Sequence, residues 1–503
     1  MIRDAAVAAA AGAAFSLAAT HTSLWWLPFL CIGVLAWRAA GSRPLQAGVL
    51  GLSFGSGWLG AATWWLYISL HDYGALPAPL AVAAVAALCI ALSAYLALAM
   101  ALFARLQRPQ SPAASALLFG ALWLAAELAR GVIFTGFPWA ATGYGQVDGP
   151  LAALAPWVGV FGIGFVVAVL AAASALGLAR AAQRWAVRAA PLLVSVALLI
   201  GAPLIAHDFS TSAGRLDVSL LQTNVAQDEK FATERLPLAL AQLESALHAA
   251  RGPLVVAPET AIPLLPEQLE PAAWARLVAP FLGQGKAALI GLPLGNYEAG
   301  YTNSVAGLSA ATAALPAGFY RYDKQHLVPF GEFIPPGFRW FVAMMNMPLG
   351  DFARGPLAAP SFAFGGQRIA PNICYEDLFG EELALRFTDP TTAPTVLANV
   401  SNIAWFGDSI AITQHLHISR LRALELQRPM LRATNTGATA VIDHRGQVTA
   451  ALPSFTRATL DASVEGRNGL TPFARWAGRW GLAPALLLCL AIVALAGRWR
   501  SAP

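Results

Sequence analysis

Seven apolar stretches follow one another in the first 206 residues, at about 5–20, 22–37, 47–70, 78–104, 112–129, 151–178 and 189–206. An eighth lies at 481–497. A helix crossing a bilayer needs about 20 mostly apolar residues, so each stretch is a candidate span. Charge divides the same way. Of the 59 charged side chains, 13 fall in residues 1–206 and 46 in residues 207–503. The overall 57% hydrophobic and 12% charged residues are therefore an average over two unlike parts. They exclude a wholly soluble chain, in which about 25% of residues carry charge, and they exclude disorder. The expected organisation is a seven-helix membrane domain over 1–206, a soluble domain over 214–465, and a closing span at 481–497.

The first stretch, with Arg3 ahead of it, has the look of a secretory signal peptide. Against that, a second apolar run begins almost at once at Leu24 and no soluble domain follows, so a retained span is expected. Orientation is read from arginine. Arg3, Arg38, Arg43, Arg105, Arg108, Arg180, Arg184, Arg188, Arg498 and Arg500 fall on one side of the spans, and Arg130 alone on the other. By the positive-inside rule both termini are cytoplasmic and residues 207–480 face outward. Arg475 and Arg479 are a local exception, where lipid headgroups are the expected contacts. Gly136-Phe137-Pro138-Trp139 interrupts its apolar surroundings. Irregular backbone at such a depth requires protein or a cavity around it, so a substrate niche and an interfacial loop anchored by Trp139 are both open.

The net charge of +5 does not point to nucleic acid. It comes from 29 Arg and 3 Lys, many of the Arg flanking apolar runs, with no basic cluster interleaved by aromatics. From Leu216 the pattern changes to short apolar runs alternating with helical stretches, which predicts layered α/β structure. Strands are expected at 216–222, 253–257, 287–292, 302–308, 317–322, 367–373, 395–400 and 438–443. Helices are expected at 232–250, 271–282, 380–387 and 409–432. Asp208–Gly214, polar and small, is expected to be a linker.

Cys31, Cys89 and Cys489 lie in apolar runs and are expected to be packing residues. Cys374 is the lone cysteine of the soluble part, at the end of the run Arg368–Ile373, where a side chain reaches the rim of a sheet. Two other strand ends carry groups that could serve a thiol. Leu254–Ala257 is stopped by Pro258 and delivers Glu259, a candidate general base. Tyr320–Asp323 delivers Lys324, a compact cation suited to a thiolate or an oxyanion. Lys230 and Lys286 sit in stretches that look exposed. His207, His326, His415, His417 and His444 share no motif and are expected to be surface or structural residues. No metal-ligand spacing is present.

The order Pro258-Glu259-Thr260, Tyr322-Asp323-Lys324 and Asn372-Ile373-Cys374-Tyr375-Glu376 resembles the nitrilase superfamily, an αββα sandwich whose sites use Glu, Lys and Cys. With the flanking spans, and with Gly136–Trp139, Gln222–Asn224 and His326–Glu332, the chain resembles the apolipoprotein N-acyltransferase family. That resemblance implies Cys374 as nucleophile, Glu259 as its base and Lys324 as oxyanion stabiliser, helped by the Tyr375 N–H. Glu332 and Glu376 are implied to support the site. Phe231 stands where the family often has Trp, so an aromatic wall is kept and an indole N–H is not.

The implied reaction transfers an acyl chain from a phospholipid, through a Cys374 thioester, to the α-amino group of a diacylated apolipoprotein. It would occur at the outer face of a bacterial inner membrane, by a monomer with no cofactor and no metal. The apolar loop Phe338–Pro348 (Trp340, Phe341, Met344, Met345) is either a lid or core packing. Two other functions stay open, a membrane-tethered amide hydrolase and a transporter or scaffold; scarce intramembrane charge, Glu127 apart, speaks against the latter.

Overall fold

The structure, a computed structural model, describes residues 1–180, 183–345 and 351–501, the last three without their side chains. The Arg500 side chain and residues 346–348 of the apolar loop thus lie outside what is described. Two compact units are formed. One comprises Met1–Tyr67, Pro77–His207 and Trp480–Pro503; the other comprises Ile68–Leu76 and Asp208–Arg479.

The first unit is helical. Among the described residues five helices are long and apolar enough to cross a membrane: Ile2–Thr20, Ala78–Leu106, Pro112–Thr135, Pro150–Leu178 and Trp185–Ile205. Ala483–Arg498 makes a sixth only when joined to the preceding helix Pro472–Trp480. By length and apolarity alone, five or six of the eight expected spans qualify. The second apolar stretch yields Leu27–Ala40, only 14 residues. The third yields Pro44–Thr63, whose five Gly, two Ser and one Gln dilute its apolar content.

The Gly136–Trp139 segment is packed against protein. Arg130 Nη1 donates to the carbonyls of Phe137 and Trp139, both at 2.7 Å. Glu127 Oε1 accepts from the Thr142 N–H and hydroxyl at 2.8 and 2.9 Å. A buried ion pair therefore satisfies backbone that helix geometry leaves open. Gly136 is required here, because at φ +83° a Cβ would lie 1.9 Å from the Gly131 carbonyl oxygen.

The second unit is built on two six-stranded sheets. The strands are β1 Ser210–Gln222, β2 Leu254–Val256, β3 Ala287–Asn296, β4 Gly300–Ser309, β5 Tyr320–Asp323, β6 Phe362–Phe364, β7 Gln367–Ile373, β8 Val396–Ser401, β9 Met430–Thr434, β10 Ala440–Ile442, β11 Val448–Ala451 and β12 Ala458–Gly469. Their spatial orders are β12-β1-β2-β3-β4-β5 and β11-β10-β9-β8-β7-β6. Alternation along each strand sends residues to opposite faces. Val218, Leu220, Leu254 and Val256 from one sheet meet Ile369, Ile373, Ala398, Val400 and Leu431 from the other in a shared core.

The opposite faces are covered by helices. Val255, Ala288 and Ile290 pack with Leu243, Leu247 and Leu277, and Ala370, Leu397 and Met430 pack with Ala423, Leu426 and Phe473. The layers are α-β-β-α. Strands buried on both faces read as unbroken apolar runs, which is why Leu254–Ala257 stands out in the sequence.

Two local expectations fail. Asp208–Gly214 is not a linker: β1 begins at Ser210 and pairs with β12 from Ser210↔Gly469, passing Ala213 and Gly214 as a bulge. The helix expected to reach 432 ends at Leu426, with Gln427 left-handed at φ +46°, and β9 follows from Met430. Pro429 cannot donate to a continuing helix and marks the change.

Candidate active site

Strand direction decides which residues meet. β1, β2 and β3 are mutually parallel, and β5, reached through antiparallel β4, runs with them. β7, β8 and β9 are parallel in the other sheet. The C-terminal ends of these strands carry Glu259 after β2, Lys324 after β5, Cys374 after β7 and Asn402 after β8. The two groups of ends meet, since the Asn402 N–H donates to Glu259 Oε2 at 2.7 Å.

The Glu259 turn depends on a close approach. Pro258 ends the strand, Thr260 takes φ +50°, and the turn lies on Gly291 of β3, where a Cβ would be 2.3 Å from the Pro258 carbonyl oxygen. Glu259 Oε1 accepts from Asn303 Nδ2 at 2.7 Å and from Lys324 Nζ at 3.4 Å. The same two donors reach Glu332 Oε1, at 2.7 and 2.9 Å. Glu332 is held in turn by the Val328 N–H at 2.8 Å. Lys324 is fully buried between the two carboxylates.

Burial works against ionisation of Glu259, yet Lys324, the Asn303 amide, Lys230 and the Asn402 N–H together hold its carboxyl below the usual range. Burial also works against Lys324, and Glu332 and Glu259 overcome it and raise the ammonium above its ordinary value.

Cys374 sits at φ +50°, a conformation rare for residues other than Gly. Its carbonyl accepts from Asn399 Nδ2 at 3.2 Å and lies 3.2 Å from His415 Nε2. Behind it is a buried network: His415 Nε2 lies 2.9 Å from Asp377 Oδ1, and Asp377 also meets Arg432 and the Ser419 hydroxyl. Arg432 Nη2 stands 3.2 Å from His415 Nδ1. Arginine only donates, so Nδ1 must accept and the proton belongs to Nε2, facing Asp377 and Cys374. Burial and the Glu259 charge push the Cys374 thiol up to about 12, against the pull of Lys324. The resting sulfur is therefore protonated. Chemistry at Sγ needs a base, and the group beside it is an ionised carboxylate.

Glu376 ties the cysteine turn to the lysine strand. It accepts from the Tyr322 hydroxyl, the Ile373 N–H, and the Gln325 and His326 N–H groups, at 2.7, 2.6, 2.8 and 3.3 Å. Tyr375 is buried with its ring against His326 and Phe379. Phe231 is 45% exposed. Trp139 belongs to the other unit, where it is 3% exposed with its ring against Trp65. The segment Ile68–Leu76 belongs to the catalytic unit, with Tyr73 edge-on to Trp405 just beyond Asn402.

One lysine was misjudged. Lys230 is not exposed but 95% buried, its Nζ donating to the Glu259 carbonyl at 3.1 Å. Asn303 and Asn402 were missed altogether. A polar Asn inside an otherwise apolar strand such as β4 was the available signal for Asn303, because buried polar groups require partners.

Residues 11–173 match the apolipoprotein N-acyltransferase N-terminal domain, and residues 218–469 match the carbon-nitrogen hydrolase family. The chain is 52% identical over 480 residues to the apolipoprotein N-acyltransferase of Verminephrobacter eiseniae, covering 91% of this chain and 89% of that one. It is 46% identical over 500 residues to that of Ralstonia nicotianae, covering 98% and 94%. The chain belongs to the apolipoprotein N-acyltransferase family. A third member, from Azotobacter vinelandii, is 40% identical over 518 residues, with 99% and 96% covered. Family membership makes the chain a bacterial membrane acyltransferase with a nitrilase-like catalytic fold.

Proposed function

We propose that this chain moves a fatty acyl group from a membrane phospholipid to the N-terminal α-amino group of a diacylglyceryl-cysteine apolipoprotein, through a thioester on Cys374. The observation that carries the reading is the meeting of Glu259, Lys324 and Cys374 at one edge of the two sheets. Relatives named for apolipoprotein N-acylation supply the substrate class.

Glu259 takes the Cys374 proton as Sγ bonds to the ester carbonyl carbon. A free thiolate is scarce when the thiol is raised to about 12, so proton transfer and attack proceed together. Lys324, with the Tyr375 N–H, stabilises the oxyanion. Collapse breaks the bond to the glycerol oxygen, and Glu259 returns the proton to the lysophospholipid. The α-amine then attacks the thioester carbon as Glu259 takes its proton; collapse breaks the C–S bond, and Glu259 returns the proton to Sγ. Glu332, Tyr375 and Glu376 keep these groups in place, and Phe231, 45% exposed, is assigned to substrate contact.

In this reading residues 1–206 are a seven-helix membrane domain, 214–465 is the catalytic domain and 481–497 is the closing span. The enzyme works as a monomer in the inner membrane, its catalytic domain periplasmic and both termini cytoplasmic. The test is intact-mass spectrometry of the full chain incubated with phospholipid micelles. One acyl group on Cys374, released lysophospholipid and transfer to a diacylated lipopeptide are expected. An unmodified Cys374 refutes the route, and discharge to water alone in the presence of lipopeptide marks a hydrolase.

A further inference from the structure

The site holds a second buried ammonium that the steps above do not use. Lys230 is 5% exposed, and its Nζ donates to the Glu259 carbonyl oxygen at 3.1 Å. An ammonium has three protons to donate. Among the described residues the other two on Lys230 find no acceptor. A buried charge with donors unused is costly, and more so than a neutral group. An acceptor on a bound substrate would complete it.

Three features say where the missing acceptor comes from. Lys230 Nζ is bonded to the backbone of Glu259, the base of the reaction above, so its spare donors lie at the reaction site. The segment that carries it is fixed at one end and open at the other. The Val225 N–H and C=O are bonded to the Asn435 side chain, and Gln227 accepts from Asn402, whereas Phe231 is 45% exposed. Lys324, the other cation, is already committed to Glu259 and Glu332 and is the partner of the acyl oxyanion. On the reading above, Lys324 and the Tyr375 N–H already serve the acyl oxyanion. A second buried ammonium calls for a second, permanently anionic oxygen on the same substrate, and a phospholipid carries one in its phosphodiester.

We propose, on the reading of function given above, that Lys230 binds the phosphodiester of the acyl donor and fixes the phospholipid on the Glu259 side of Cys374 during the first half-reaction. An arginine would carry the charge, but its fork suits bidentate contact; a single ammonium bonded to the Glu259 carbonyl can turn its remaining protons to one phosphate. Burial already depresses this ammonium to about 8, against the pull of Glu259 and Cys374. An arriving anion would restore the charge the pocket holds poorly.

The test compares two donors on the full-length protein in detergent micelles: dipalmitoyl phosphatidylglycerol, and p-nitrophenyl palmitate, which has an activated ester and no phosphate. Acyl-Cys374 is followed by intact-mass spectrometry. Lys230→Met is expected to slow acylation from phospholipid at least tenfold more than acylation from the neutral ester. Lys230→Gln, which keeps a donor for the Glu259 carbonyl without the charge, is expected to show the same discrimination, and Lys230→Arg to recover part of the phospholipid rate. Equal losses with both donors in Lys230→Gln overturn the proposal and make Lys230 a support for Glu259. No loss with either donor overturns it as well. Absence of acyl-Cys374 from phospholipid in the parent protein refutes the proposed function instead, so the two failures are distinct.

Discussion

Replacing Asn303 with Leu removes one amide and keeps nearly the same volume. That amide donates at 2.7 Å to both Glu259 and Glu332. A hydrogen bond to a charged group is worth about 1.5–3 kcal/mol. At about 1.4 kcal/mol per pKa unit, its loss raises the Glu259 carboxyl by roughly 1–2 units. The parent carboxyl is held below its usual range, chiefly by Lys324 and Asn303 against burial. The base therefore stays ionised, and active, until pH falls through that depressed value. In Asn303→Leu the rate of acyl-enzyme formation should begin to fall at a pH higher by roughly 1–2 units, converging on the parent profile at higher pH. The displacement of the limb is the quantity to compare. Single-turnover acylation followed by mass spectrometry from about pH 3 to pH 8, a window that begins below the ordinary carboxylate value, makes the measurement. An acid limb that stays put while the rate drops uniformly refutes the argument, and assigns Asn303 to packing.

Cys374→Ala should abolish acyl transfer with the protein still folded in the membrane, and Cys374→Ser should be nearly inactive; normal turnover in Cys374→Ala would remove the nucleophile. Asp377→Ala strips the buried Arg432 of its carboxylate, and thermal or denaturant unfolding of the catalytic unit should show a loss of about 3–5 kcal/mol. An unchanged transition would mean that the network behind Cys374 contributes little. Gly291→Ala should push the Glu259 turn off its seat and lower the acylation rate on the order of a hundredfold, while Cys374 alkylation by a small neutral reagent still proceeds.

The Glu259 strand end was legible because the apolar run Leu254–Ala257, buried on both faces, stops abruptly at Pro258 and leaves little room for another reading. Lys230 was not legible. Its neighbours Asp228 and Glu229 are solvent-exposed, and its burial comes from the Glu259 turn, which nothing local in the sequence announces. Asn402 was hidden for a different reason, since its contribution to Glu259 is a backbone N–H that any residue except proline supplies. The short strands β6 and β11 and the long β12 escaped because half of their residues or more are partly exposed and their apolar signal is weak. In the membrane unit hydropathy located the helices, and Leu27–Ala40 and Pro44–Thr63 form where apolar stretches were read, although neither has both the length and the apolarity of a full span.

The pairing of β1 with β12 has a consequence for how the protein is made. The first strand of the catalytic sandwich lies against the last, with Gln222 opposite Ala458 and Ser210 opposite Gly469. Until ribosomes have delivered residues beyond 458, β1 offers a thirteen-residue open edge, the kind of edge that recruits other chains. Folding of this half must therefore wait for nearly its whole length, and contacts so distant in sequence close slowly. A nascent chain stalled shortly before Ala458 would carry Glu259, Lys324 and Cys374 and still be a target for chaperones and proteases.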